Sequence, residues 1–440
     1  MSVPNGNEGV TAIDRLPPDE SVIEGRLSFT RFAVIGFLAL SVAIALYTPE
    51  DLVVFVRMAR WSFLGIASIL VLTHLVRSRL SAQGTAWLAG GLYAAGTLVY
   101  SIDLPATVLR SFTFLCLAIA AFTGGSLCYR YRSSVPNRFP DQIGIILVLL
   151  GVPSSIGLAL HYPTSFFMGA DLFRGVFVHA NTLGAFASIW LVVGVGVYDS
   201  HSTHHRRMMA VGLIAMTVCL VASRCRAGLG GSLIAIMFYV ILTRQLRRVI
   251  LVGMLAGTVL LVTFILLPYA SDVATRESAD FVFKGAEDND VLVSRRDVWE
   301  KGFDNVLESP WFGYGFGTSV GEEPGGWKLY GLGSREKGNA IIAILEETGI
   351  FGTIILCFPL GICVVQGFRI RRLNLHLAAN SRHLTSDARL TAAFWAAAMG
   401  GIANNLAEAT LWSPGSPFGG MLLFFAGAAE GLLYRTEGRQ

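Results

Sequence analysis

The sequence predicts an all-α polytopic membrane bundle of about twelve transmembrane helices, with one large, partly helical periplasmic loop. Three observations carry this. The 440 residues are 53% hydrophobic but only 15% charged, with a mean hydropathy of +0.58. The apolar residues fall in blocks of about 16 to 21, long enough as helices to cross a hydrocarbon core of about 30 Å. A soluble protein interleaves apolar and polar residues, and a β-barrel alternates them at every second position, so both classes are excluded.

Residues 1–31 carry Pro17, Pro18 and several acids, and read as a disordered cytoplasmic tail without a cleavable signal. The first nine spans, within residues 32–269, are expected at Phe32–Tyr47, Trp61–Val76, Thr85–Tyr100, Ser111–Tyr129, Ile143–Leu160, Thr182–Tyr198, Met208–Ala222, Ala227–Leu242 and Val249–Tyr269. Residues 270–348 form the large loop. Three more spans follow within residues 349–434, at Gly349–Phe368, Leu390–Leu406 and Pro417–Tyr434, before a short tail of residues 435–440. With the amino terminus inside, the cytoplasmic segments hold about twenty of the 34 Lys and Arg residues and the short outer loops about six. Both termini are therefore expected in the cytoplasm of a multi-pass membrane protein.

Within the large loop, Trp299, Phe303, Val306 and Leu307 form one apolar helical stripe, with Ser294 and Asp297 spaced like a capping box. The helix should stop before Pro310, and Gly313-Tyr314-Gly315-Phe316-Gly317 should be a turn-rich loop. The six cysteines lie in or at the ends of apolar blocks without metal-ligand spacing, so a disulfide framework and a zinc site are not expected. Paired glycines (Gly90-Gly91, Gly230-Gly231, Gly400-Gly401, Gly419-Gly420) read as helix-packing surfaces.

Candidate chemistry lies in arginines at the outer side. Arg224 and Arg226 sit in a tight turn between two apolar blocks, with no acidic neighbour in sequence. Arg174 precedes a span that Asn181 is expected to cap, pointing free N–H groups outward. Arg295 and Arg296 fall in the first turn of the loop helix, where the dipole disfavours cations unless an anion is bound. The chain uses 30 arginines against four lysines, and guanidinium forks grip phosphate bidentately. Lipid-headgroup anchoring explains the same arginines without catalysis.

Four motifs in order resemble the O-antigen ligase and polymerase family of membrane glycosyltransferases, which includes exopolysaccharide polymerases. They are Phe173-Arg174-Gly175-Val176-Phe177 with His179-Ala180-Asn181, Ser223 through Gly228, Ser294 through Trp299 followed by Glu308 through Gly315, and Gly338-Asn339 followed by Gly349-Ile350-Phe351-Gly352. The resemblance implies a metal-independent, cofactor-free enzyme that takes glycan from a polyprenyl-pyrophosphate carrier and passes it, with inversion, to a glycan or lipid acceptor. Membrane lipid is then a partner and nucleic acid is not. It places Arg226 and Arg295 in the catalytic clamp, and Arg174, Arg224, Arg296, Asn181, Asn339, His179 and Glu347 around the substrate. The ligases carry a histidine where this chain has Gly338, which tilts the expectation towards a polymerase. A transporter, with ionisable residues at mid-membrane, and an inactive assembly component are the alternatives.

Overall fold

The computed structural model describes residues 20–46, 50–75, 80–130, 139–166, 173–200, 203–245, 293–318, 320, 338–380, 384–406, 408, 411–413 and 416–437. These residues are helical, apart from turns and the isolated bridges Leu46 to Phe177 and Phe166 to Phe173. Helix α1 spans Glu20–Ala45, α2 Glu50–Leu75, α3 Ala82–Gly96 and α4 Leu104–Leu117. A π-helical turn, Ala118–Thr123, continues α4 into α5, Gly124–Arg130; α6 is Phe139–Ala159, α7 Ala180–Ser200, α8 Thr203–Ala222 and α9 Arg226–Thr243. Beyond them, α10 is Val293–Glu308, α11 Ala340–Asn380, α12 Ser386–Asn405 and α13 Pro417–Glu437.

Among the described residues, seven stretches are long and apolar enough to cross a membrane: Ser28–Ala45, Leu52–Leu75, Leu104–Arg130, Ala180–Ser200, Arg226–Thr243, Ala340–Ala379 and Pro417–Glu437. Eleven of the twelve apolar blocks coincide with described helices, and the block Val249–Tyr269 lies outside the described residues. Helices α3, α6, α8 and α12 fall short of a full span by length or hydropathy, α6 with the shorter apolar stretch Ile145–Ala159. Helix α3 has only 15 residues, α8 opens on His204, His205, Arg206 and Arg207, and α12 carries Asp387, Arg389, Asn404 and Asn405.

Residues 20–31, read from the sequence as tail, are corrected to helix, since α1 is continuous from Glu20 into the first span and the apolar run carries its helix past its own edge. The core lies where α7, α12 and α13 meet, around Phe186, Trp190, Phe394 and Phe425, whose exposures are 0 to 1%. Trp190 stacks on Phe186 at 5.2 Å and meets Phe425 edge-on at 5.6 Å. Gly231 and Gly400 let backbones touch, as expected of them, a β-carbon on Gly400 lying 2.7 Å from the Gly231 carbonyl oxygen, whereas Gly230 faces open space and packs against nothing.

Hydrogen bonds sort the turns into two ends. At one, Arg369 pairs with Glu437 at 2.9 Å, Arg435 pairs with Asp387 at 3.0 Å, and Ser386 donates to the Ser200 carbonyl. Tyr239 and Gln245 both donate to Asp199 at the same end. At the other, Val178 N–H donates to Ala45, Ile102 N–H to Tyr314, and Asn339 to Leu406. The loops assigned to the two sides by arginine count thus separate to opposite ends of the bundle.

Candidate functional site

The second end is built on two helix starts. Helices α7 and α9 begin side by side, because Gly184 and Gly228 leave no side chain between them: a β-carbon on Gly228 would stand 2.4 Å from the Gly184 α-carbon. Cys225, buried, fills the space beside Gly184. Aligned helix starts each present free N–H groups and about half a positive charge, so a pair of them favours an anion.

Arg224 and Arg226 flank Cys225 at the start of α9, both partly exposed, and Arg224 takes a left-handed φ of 50° that turns the chain sharply. Ser223, buried, closes the turn by accepting from Cys225 N–H at 3.3 Å. On α7 the expected cap is corrected. His179, not Asn181, precedes the helix, and its Nδ1 accepts the Asn181 N–H at 3.1 Å. That bond requires an unprotonated Nδ1, so the His179 ring serves the helix start, and Asn181 lies one position inside.

Arg174 is 9% exposed. Its Nε donates to the Thr164 carbonyl at 3.0 Å and Nη1 to that of Val178 at 3.1 Å, so the guanidinium staples the 164–178 segment beside the α7 start.

Asn339 caps α11, its Oδ1 accepting the N–H groups of Ile341 at 2.8 Å and Ile342 at 3.2 Å. Its Nδ2 donates to the Leu406 carbonyl at 2.8 Å, just past α12. Helix α12 bridges back to α9, since Asn404 and Gly400 lie against Gly231. Gly338 has φ of 59°, a conformation glycine adopts without penalty.

The large loop reaches this end through Gly313–Thr318. All three glycines of the expected turn-rich loop have positive φ, and each meets a neighbour where a β-carbon would clash: Gly313 against Glu347 and Thr348, Gly315 against Ser101, Gly317 against Arg110. Phe316, fully buried, meets Phe114 at 5.5 Å. Glu347, buried, accepts from Gly317 N–H at 2.8 Å, and Glu346 accepts from Asn305 Nδ2 at 2.9 Å, tying loop, α10 and α11 together. Tyr314 donates to Glu308 at 3.0 Å; partial burial and that carboxylate raise its phenol above the ordinary value.

Helix α10 ends at Glu308 before Pro310, as expected, but starts at Val293, so Ser294 is inside it rather than capping it. Arg295 and Arg296 do fall in its first turn; Arg296 is exposed, and the Arg295 side chain lies outside the described residues. The structure thus gathers Arg224, Arg226, His179 and Asn181 at paired helix starts and joins Asn339 to them through α12.

Sequence reasoning passed over two further arginines of the loops expected outside. Arg110 donates to the Gly317 carbonyl. Arg60, 1% exposed within α2, donates to Ser41 Oγ and the Ser416 carbonyl at 3.0 Å each and lies between the rings of Phe37 and Trp61. Both were among the few arginines of the outer loops, which was the available signal.

A many-helix membrane protein with a basic, helix-start site at one end is what fold and geometry define. Residues 211–357 match the family model described as O-antigen ligase, which bears out the family resemblance over the last three of the four motifs, the first lying outside the match, and supports a part in membrane glycan assembly. The match covers the α8–α9 turn, α10 and the first half of α11. A comparison with curated proteins gives no match.

Proposed function

We propose that this chain is a membrane glycosyltransferase that transfers or polymerises glycan units from a polyprenyl-pyrophosphate carrier at the periplasmic face. The family match supports the reaction class. The observation that carries the reading is the pairing of the α7 and α9 starts, with Arg224 and Arg226 beside them, which concentrates positive potential where a diphosphate would sit.

In this reading Arg226 and Arg295 grip the diphosphate and neutralise the charge that grows on it as the glycosidic bond breaks. Arg224 and Arg296 add to the field, and Arg174 adds charge while holding its own segment. The acceptor hydroxyl attacks the anomeric carbon from the opposite face, with inversion, and guanidinium groups rather than a metal stabilise the leaving group. Asn181, His179, Asn339 and Glu347 support the site by fixing helix starts and the glycine loop. The basic end with Arg369, Arg371 and Arg372 lies in the cytoplasm, both termini with it, and the loop 270–348 covers the periplasmic end. Gly338 supplies no proton acceptor, which favours polymerase over ligase.

The test is incubation of the purified protein with a lipid-linked oligosaccharide, reading product length. A ladder supports polymerase and a single transfer supports ligase. Unchanged carrier, with the fold intact, would overturn enzymatic transfer.

A further inference from the structure

Helix α10 does not hide its apolar stripe. Phe303 and Leu307 of that stripe are 51% and 76% exposed, while the side turned inward carries Gly302 and Asn305. At about 100° per residue the helix divides into three sectors. One contacts the protein, the next carries exposed Arg296 and Glu300 in the first half of the helix and Phe303 and Leu307 in the second, and the third carries Lys301, Asp304 and Glu308, all exposed, so the sector beside the bundle is apolar over its second half. The apolar sector is thus an edge between bundle and water.

That edge continues into a surface whose environment is already fixed. Past α10, Trp311 and Phe312 are 56% and 55% exposed, and both rings rest on Phe351, at 5.7 and 5.6 Å. The Pro310 and Trp311 carbonyls accept from Ile350 and Phe351 N–H. Phe351 heads the outward row of the α11 span, where Ile354 is 62% exposed. Side chains on that row face lipid, because the span crosses the bilayer. Tryptophan at the end of such a row matches the aromatic belt at a membrane interface.

We propose that α10 is an interfacial helix: its Phe303–Leu307 edge, together with Trp311 and Phe312, beds into the headgroup and acyl boundary of the bilayer that α11 spans. The occupant of this face is lipid, because the face is continuous with the lipid-facing row of α11 and its polar sector stays turned to water. The large loop is then held to the membrane at its α10 foot, independently of any reaction it covers.

The test uses the full chain in lipid vesicles with nitroxides at Phe303→Cys, Leu307→Cys, Trp311→Cys and, on the polar sector, Lys301→Cys. The parent chain, with its six cysteines, is labelled in parallel as background. Collision with oxygen should exceed collision with a water-soluble nickel chelate severalfold at 303, 307 and 311, and the order should reverse at 301. Nickel access at 307 equal to that at 301 would show a water-facing helix and overturn the proposal. Low access to both reagents at 303 and 307 would show a protein cover, a second copy included, and overturn it equally.

Discussion

Gly349 rests directly on Trp311: a β-carbon at Gly349 would lie 2.3 Å from the Trp311 carbonyl carbon, and the glycine's φ of 62° breaks α11 into two helical stretches at that point. The break lets the Ala340–Thr348 stretch turn towards the glycine loop while the rest continues as a span. Gly349→Ala should lower stability by about 1–3 kcal/mol, from left-handed strain and the clash together. Thermal unfolding in detergent checks this, and an unchanged midpoint would contradict the close approach.

Neighbouring glycines on α9 should respond oppositely. Gly228→Ala places a methyl group against the Gly184 backbone and should separate the paired helix starts, costing about 1–3 kcal/mol and most of the activity. Gly230→Ala meets nothing within 4 Å and should be neutral or slightly stabilising through helix propensity. Equal behaviour of the two variants in unfolding and activity assays would contradict the α7–α9 contact.

Asn305→Ala removes the amide that donates to the buried Glu346 carboxylate. The loss should be about 1–3 kcal/mol, because the acceptor stays buried while its donor goes. Hydrogen exchange should rise in α10 more than in α7 or α12, since this bond joins α10 to α11.

Arg174→Lys tests the staple. Lysine cannot reproduce a fork that reaches Thr164 and Val178 together, so the 164–178 segment should become more open to proteolysis, with a loss of about 1 kcal/mol. Wild-type protease resistance would show that the two carbonyl bonds are dispensable.

Much of the fold was legible because membrane spans are written as runs of apolar residues, and the turn chemistry was legible because Pro310 and the glycines of 313–317 permit little else. What the sequence hid depends on contacts between distant segments. Nothing local distinguishes His179 from Asn181 as the α7 cap, since both side chains can accept an N–H. The stripe of α10 was visible, but whether Phe303 and Leu307 face protein or lipid is decided by Asn305 reaching Glu346. Arg60 escaped because it lay one residue outside the expected second span, whereas α2 extends to Glu50 and buries it. The arginines of the α8–α9 turn were readable from position alone, and the Gly184–Gly228 contact that sets α7 beside them was not.

The central claim is that guanidinium groups at the α9 start grip a diphosphate, and Arg226→Lys tests it most directly. Lysine keeps the charge and loses the bidentate fork, so turnover of a lipid-linked oligosaccharide by the purified variant should fall about tenfold or more while its unfolding midpoint matches the parent. Parental turnover by Arg226→Lys would contradict the account.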